Sequence, residues 1–312
     1  SHAAAYALIA YQTAYLKAHY PQAFLAALIT SVMGNSDKIA LYVEEARRYG
    51  IKVLPPDINK SVARFTVEGN NIRFGLLAIK NLGEGAIKAI IAERERGGPY
   101  RSLYDFCRRI ESSQLNRRAL ESLIKAGAFD SLGRTRRDML EILEVALQQG
   151  AKKNGKGNQL SFLDLVDKES ELVTHNEVWY NLPEFIPEEI LRQEREFVGI
   201  YLSGHPLDPW RDKLSHPKLT SLARLSEEMD GQTILAAGIL QEYKRMVTKN
   251  GQQMATFKLE DLTGTMPVVV FPKLYAQIGQ QLANDRIIAV KAKVDWHEEE
   301  QKLLATEIKI VE

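Results

Sequence analysis

Long apolar runs are missing from these 312 residues. No window reaches the eighteen or more that a membrane-crossing helix needs, and the first residues lack the charged, apolar and small-residue zones of a signal peptide. No membrane contact is expected, and a cytoplasmic setting is. There is a single cysteine, Cys107, which excludes an internal disulfide and any cysteine-rich zinc site. Its place in the amphipathic "LYDFCRRI" marks a buried thiol rather than a nucleophile. A surplus of charge is missing as well, because 41 Lys and Arg face 40 Asp and Glu. That balance hides a division along the chain. Residues 60–150 hold 16 basic against 11 acidic side chains, whereas 161–231 hold 7 against 15. A polyanion partner therefore belongs to the first of these blocks.

What is present divides into segments, as a chain too long for one ordinary core should. Residues 1–50 read as helices, with "AAAYALIAYQTAYLKAHY" followed by Pro21, Ser36 as a cap and Gly50 as a stop. "IKVLPPDINKS" is extended because each residue before a proline is pushed out of the helical region. "ARFTVEGNNIRFGL" reads as a hairpin turning at Gly69-Asn70. A helical, basic block runs from Ala78 to Gln149, and "GAKKNGKGN" after it buries nothing and reads as a linker. The acidic stretch that follows ends in the helix "PEEILRQEREFVG". From Thr233 the period changes to two, with five strands and one helix, "PKLYAQIGQQL", after the third. That order is the order of an OB barrel.

Within the basic block, "LGEGA" at 82–86 interrupts a helical pattern with two glycines. Each costs about 1 kcal/mol inside a helix relative to alanine, so the pair predicts a sharp turn between two helices, a helix-hairpin-helix. Gly83 and Gly85 are expected to take angles closed to other residues and to let a phosphate approach the main chain. The amides of Gly83, Gly85 and Ala86 then face an anion at the start of a helix beginning near Ile87. Lys80 and Lys88 flank the turn. With nothing placed to read a base edge, such binding ignores sequence. The alternative is a short helix pair that turns on glycine and binds nothing. A looser hairpin follows in "QLNRRALESLIKAGAFDSLGRTRRDML", where Asn116 and Thr135 cap helices that open with Arg117, Arg118, Arg136 and Arg137, and Gly127 breaks the first. Arginine opposes the dipole at a helix start. Either a negative partner compensates these side chains or they are merely solvated.

At this point the sequence resembles the alpha subunits of bacterial DNA polymerase III, the C-family replicative polymerases. "SHAAAYALIAYQTAYLKAHYPQAF", "GIKVLPPDIN", "AIKNLGEGAIKAII", "LNRRALESLIKAGAFDSLG" and "GIYLSGHPLDPW" carry the likeness, in the same order. The resemblance implies the closing part of a fingers domain at 1–60 and a tandem helix-hairpin-helix domain at 61–150. A connecting region at 151–230 and an OB-fold domain at 231–312 follow. It implies a C-terminal fragment of a polymerase whose palm carboxylates, with their two Mg2+ ions, lie upstream. Because no Asp-x-Asp pair stands in an apolar strand here, the fragment alone is expected to be inactive and to carry no cofactor. By position, Ser1 and His2 are implied to contact the triphosphate of an incoming dNTP. Tyr6 joins them unless it simply packs in the helix bundle.

"QLSFL", comprising Gln159, Leu160, Ser161, Phe162 and Leu163, resembles the family's sliding-clamp peptide, with Phe162 and Leu163 in the reverse of the more usual order. Single-stranded DNA is the usual partner of an OB barrel, with Lys244, Arg245, Lys249, Phe257, Lys258 and Phe271 as candidate contacts. Against this, Glu298, Glu299 and Glu300 would repel phosphates, and Phe257 could fill the barrel. Two competing readings remain. A DNA ligase of the NAD-dependent type also joins an OB fold to helix-hairpin-helices, but in the other order and with a four-cysteine zinc site. A noncatalytic DNA-processing or protein-interaction scaffold is the second.

Overall fold

The computed structural model describes residues 2–111, 115–153, 177–297 and 300–311. It divides into two compact units, Ser1–Ser203 and Gly204–Glu312.

The first unit begins with three helices, α1 (His2–His19), α2 (Pro21–Ser31) and α3 (Ser36–Arg48). Pro21 stands at the first turn of α2, where its missing N–H costs nothing. The cap of α3 is Asn35, whose side chain accepts from the Lys38 amide, so Ser36 is the first helical residue rather than the expected cap. Helix α1 leaves Tyr6, Tyr11 and Tyr15 exposed. Tyr6 therefore does not pack in the bundle.

A small sheet follows, in the order β1-β3-β2. It contains β1 (Val53–Leu54), β2 (Thr66–Glu68) and β3 (Asn71–Arg73), with Glu68 opposite Asn71 across the expected Gly69-Asn70 turn. The basic block then supplies α4 (Glu84–Gly97), α5 (Leu103–Arg109), α6 (Arg117–Lys125), α7 (Arg136–Glu141) and α8 (Leu143–Lys153), and α9 (Pro187–Phe197) returns to the same body. One hydrophobic core runs through it from Leu25 to Ile200. At its centre Phe106 meets the edges of Tyr100 and Phe129, with ring centroids 4.8 and 5.1 Å away, a favoured aromatic geometry. Cys107 lies in this core, and burial pushes its thiol up to about 12. At neutral pH it is an inert packing group.

The second unit opens with a short helix, α10 (Arg211–Leu214), and closes five strands into a barrel. The strands are β4 (Thr233–Val247), β5 (Gln253–Glu260), β6 (Thr265–Val270), β7 (Ile287–Trp296) and β8 (Gln301–Ile310), with α11 (Pro272–Ile278) between the third and fourth. Their order around the barrel is β4-β5-β6-β8-β7, and only the β6–β8 pair is parallel. This is the five-stranded OB topology that the period-two segments predict. Alternation puts Ala255, Phe257 and Leu259 of β5 inside and Thr256 and Lys258 outside.

Candidate nucleic-acid interface

The glycine turn is present, though not for the conformational reason expected. Asn81 takes the left-handed conformation, with φ of 64°, which asparagine tolerates better than most residues. Leu82 is buried beneath the turn, and Gly83 caps α4 with the ordinary angles φ −86°, ψ 158°. The helix starts at Glu84 rather than near Ile87, and the element before the turn is a single 3-10 turn, Leu76–Ala78, rather than a helix. Neither Gly83 nor Gly85 has a positive φ, and a Cβ built on either would meet nothing within 4 Å. The fold itself does not require glycine at either position. What their bareness provides is a main chain that a partner can reach. The amides of Glu84, Gly85 and Ala86, as the opening residues of a helix, have no intrahelical acceptor.

Two long-range bonds hold this turn in place. The Asn81 side-chain amide donates to Ser122 Oγ at 3.0 Å, and the Lys80 amide donates to the Phe197 carbonyl at 3.0 Å. Ser122 in turn donates to the Arg118 carbonyl one helical turn earlier on α6. The glycine turn is thereby fastened to α6, the helix that opens with Arg117 and Arg118. Arg117 and Arg118 are both exposed there. Arg117 is tied to Glu144 at 2.9 Å. Lys80 and Lys88 are exposed beside the glycines, with Lys88 only loosely matched to Glu84 at 4.0 Å.

The second hairpin is built differently. Asn116 and Thr135 cap α6 and α7 as expected, accepting from the Ala119 and Asp138 amides. Arg136, however, is only 3% exposed. It bonds Asp130 at 2.7 Å and Glu194 at 3.3 Å, and donates to the Lys125 carbonyl. Burial alone would lower its pKa, but these carboxylates outweigh burial and raise it. Gly127 serves the same cluster. It has φ of 81°, and a Cβ there would run into the Arg136 guanidinium and the Asp130 carboxylate. The negative partner that the α7 arginines call for is the chain's own Glu184, which accepts from the Arg136 and Arg137 amides at 2.8 and 3.4 Å. Arg136 and Gly127 are therefore corrected from DNA contacts to parts of an internal ion cluster. Arg137 stays exposed.

Glu184 closes a strap, residues 177–184, laid over this hairpin. Glu177 accepts from Ser102 and Arg108, Trp179 meets the edge of Tyr104 at 5.5 Å, and the Tyr180 amide donates to Asp138.

On the barrel, Phe257 is a core residue, 3% exposed, and is corrected from a base contact to a packing group. Lys258 is bonded to Glu242 at 2.7 Å. Lys244, Arg245 and Lys249 are exposed on or beside the β4–β5 hairpin, and Phe271 is half-exposed at the start of α11.

Comparison with known families places a helix-hairpin-helix motif at residues 50–139 and an OB-fold nucleic acid binding domain at 234–311. Along 96% of its length the chain is 43% identical to the DNA polymerase III subunit alpha of Thermus aquaticus. It is 38% identical over 95% of its length to that of Escherichia coli, and 36% over 100% to that of Bacillus subtilis. Over nearly its whole length the chain is similar to DNA polymerase III alpha subunits. It spans about a quarter of their length, 24% of the Thermus protein, 26% of the Escherichia and 27% of the Bacillus one. Among solved structures, a domain of replication protein A from Methanococcus maripaludis is similar at 15% identity, with a TM-score of 0.26, over 30% of this chain and 94% of that one.

For this relative of the alpha subunits, the described residues include no three His, Cys, Asp or Glu side chains grouped to hold a metal ion. No described helix is long and apolar enough to cross a membrane. Ser1, the 159–163 peptide, Glu298 and Glu299 lie outside the described residues, as does the side chain of His2. The sequence reading passed over Asn81, Ser122 and Glu184. Asparagine directly before a buried leucine and a glycine was the available signal for a left-handed residue opening the turn. The other two act through partners 41 and 48 residues away.

Proposed function

We propose that the chain is the DNA-handling segment of a replicative polymerase, gripping duplex DNA without regard to sequence and tethering the enzyme to its clamp. One observation carries the proposal. Two exposed glycines open α4 where neither backbone angles nor internal packing calls for glycine. Glycine there admits a strand of sugar-phosphate, whose charge the helix start and Lys80, Lys88 and Arg118 would offset. The two matched domain families are nucleic-acid-associated, which agrees with this. Template-directed synthesis then belongs to the longer protein, with its metal-binding carboxylates and dNTP site completed outside this segment. Ser1, His2 and Tyr6 would lie toward that site, and the compartment would be the cytoplasm.

The test is duplex binding by the chain at a series of salt concentrations. Neutralising about three phosphates predicts a slope of log K against log salt near −2.7, the same for unrelated sequences. A flat salt response, or a strong preference for one sequence, would remove the phosphate grip.

For the clamp, Gln159 would hydrogen-bond and Leu160, Phe162 and Leu163 would fill an apolar groove. Exchanging Gln159, Leu160 and Phe162 for alanine is expected to abolish co-migration with a sliding clamp in gel filtration. Persistent co-migration would discard the peptide.

A further inference from the structure

The β4–β5 hairpin overhangs the barrel. Strand β4 pairs with β5 out to Val247 opposite Gln253, whereas β5 pairs with β6 no further than Ala255 opposite Val270. Beyond that point no third strand stands beside the hairpin among the described residues. Arg245 lies opposite Ala255, and Ala255 faces the barrel interior, so Arg245 and Gln253 project to the inner side of the overhang. Helix α11 lies beneath that inner side. Between them is an open cleft of about 820 Å³, within the range that holds small ligands. It is separate from the outer face that carries Thr256 and Lys258.

Its lining is chemically one-sided. Arg245 and Lys273 supply positive charge, and Gln252, Gln253 and Gln280 supply side-chain amides. Phe271 supplies an aromatic ring, and none of the lining residues is acidic. Phe271 is 48% exposed, an open ring at the mouth of a cleft rather than a core group. The floor is fixed. Tyr275 shares a hydrogen bond with Tyr243 at 3.2 Å, and a Cβ on Gly279 would come within 2.7 Å of the Tyr275 ring. Arg245 Nε donates to the same Tyr243 hydroxyl at 3.3 Å, which aims the guanidinium along the cleft.

We propose that this cleft receives one unstacked nucleotide of a single strand. The base lies on Phe271, its phosphate meets Arg245 and Lys273, and Gln253 and Gln280 meet the base edge. Amides both donate and accept, so all four bases are admitted. An aromatic platform beside cations is the general chemistry of single-strand binding. The inference rests on the reading of the barrel as a nucleic-acid domain and adds where a base would sit.

The experiment measures binding of the whole chain to a fluorescent oligothymidylate of about a dozen nucleotides, and to the same oligonucleotide made abasic. Phe271→Ala should weaken binding of the first by about tenfold and leave the abasic strand unaffected. Lys273→Ala should weaken both and reduce the salt slope by about 0.7. Unchanged binding by the Phe271 variant, or an equal loss on both strands, overturns the cleft while leaving the barrel reading standing. If the parent chain binds neither strand, both fall. Displacement by free thymidine monophosphate as effective as displacement by unlabelled strand would overturn a strand as the occupant.

Discussion

Replacing Arg136 with methionine is expected to destabilise the helical unit by about 3–5 kcal/mol, the usual consequence of breaking a buried ion pair from one side. The reason lies in what remains behind. Glu194 is fully buried, and besides Arg136 its carboxylate accepts from the Leu202 and Ser203 amides and the Ser203 hydroxyl. Without the guanidinium its charge has no counter-ion among the described residues, and Asp130 loses Arg136 too. A thermal melt should fall by on the order of 10 °C. Lysine is not a substitute, because one ammonium cannot span Asp130, Glu194 and the Lys125 carbonyl together. Removing the charges with Arg136→Met, Asp130→Asn and Glu194→Gln in one protein should recover much of the loss. Duplex affinity of the folded fraction, and its salt slope, should match the parent. A reduced slope with an unchanged melt would return Arg136 to the DNA surface.

Changing Gly83 and Gly85 together to leucine should lower duplex affinity at least tenfold, about 1.4 kcal/mol or more, with single-strand affinity unchanged. Both positions are open and neither has a left-handed backbone, so the variant folds. Gly85→Ala separates the two roles of the position further. It sits in the first turn of α4, where alanine should raise stability by up to about 1 kcal/mol while a methyl group stands where a phosphate would lie. A protein that becomes more stable and binds duplex less well is the signature of a glycine kept for a partner. Unaltered duplex affinity in a folded double variant would refute the turn as a grip.

The legible parts were those written in local spacing. Five period-two segments with one helix after the third gave the barrel, and Asn116 and Thr135 gave their helix starts, because strand alternation and capping act over a few residues. The glycine turn was legible as a break, but its left-handed residue was Asn81, two positions before the first glycine. Arg136 and Arg137 read as a matched pair in sequence. Only the fold distinguishes them, since Asp130 and Glu194 take the first and leave the second in solvent. Phe257 was open to either reading until the register put it beside Ala255 and Leu259 inside the barrel. Ser122, Glu184 and Glu194 were missed because their partners lay tens of residues away.

The strap has one more consequence. Helix α8 ends at Lys153 on the helical unit, and Glu177 is fastened back to the same unit through Ser102 and Arg108. Lys153 and Glu177 thus stand on one and the same body, the helical unit.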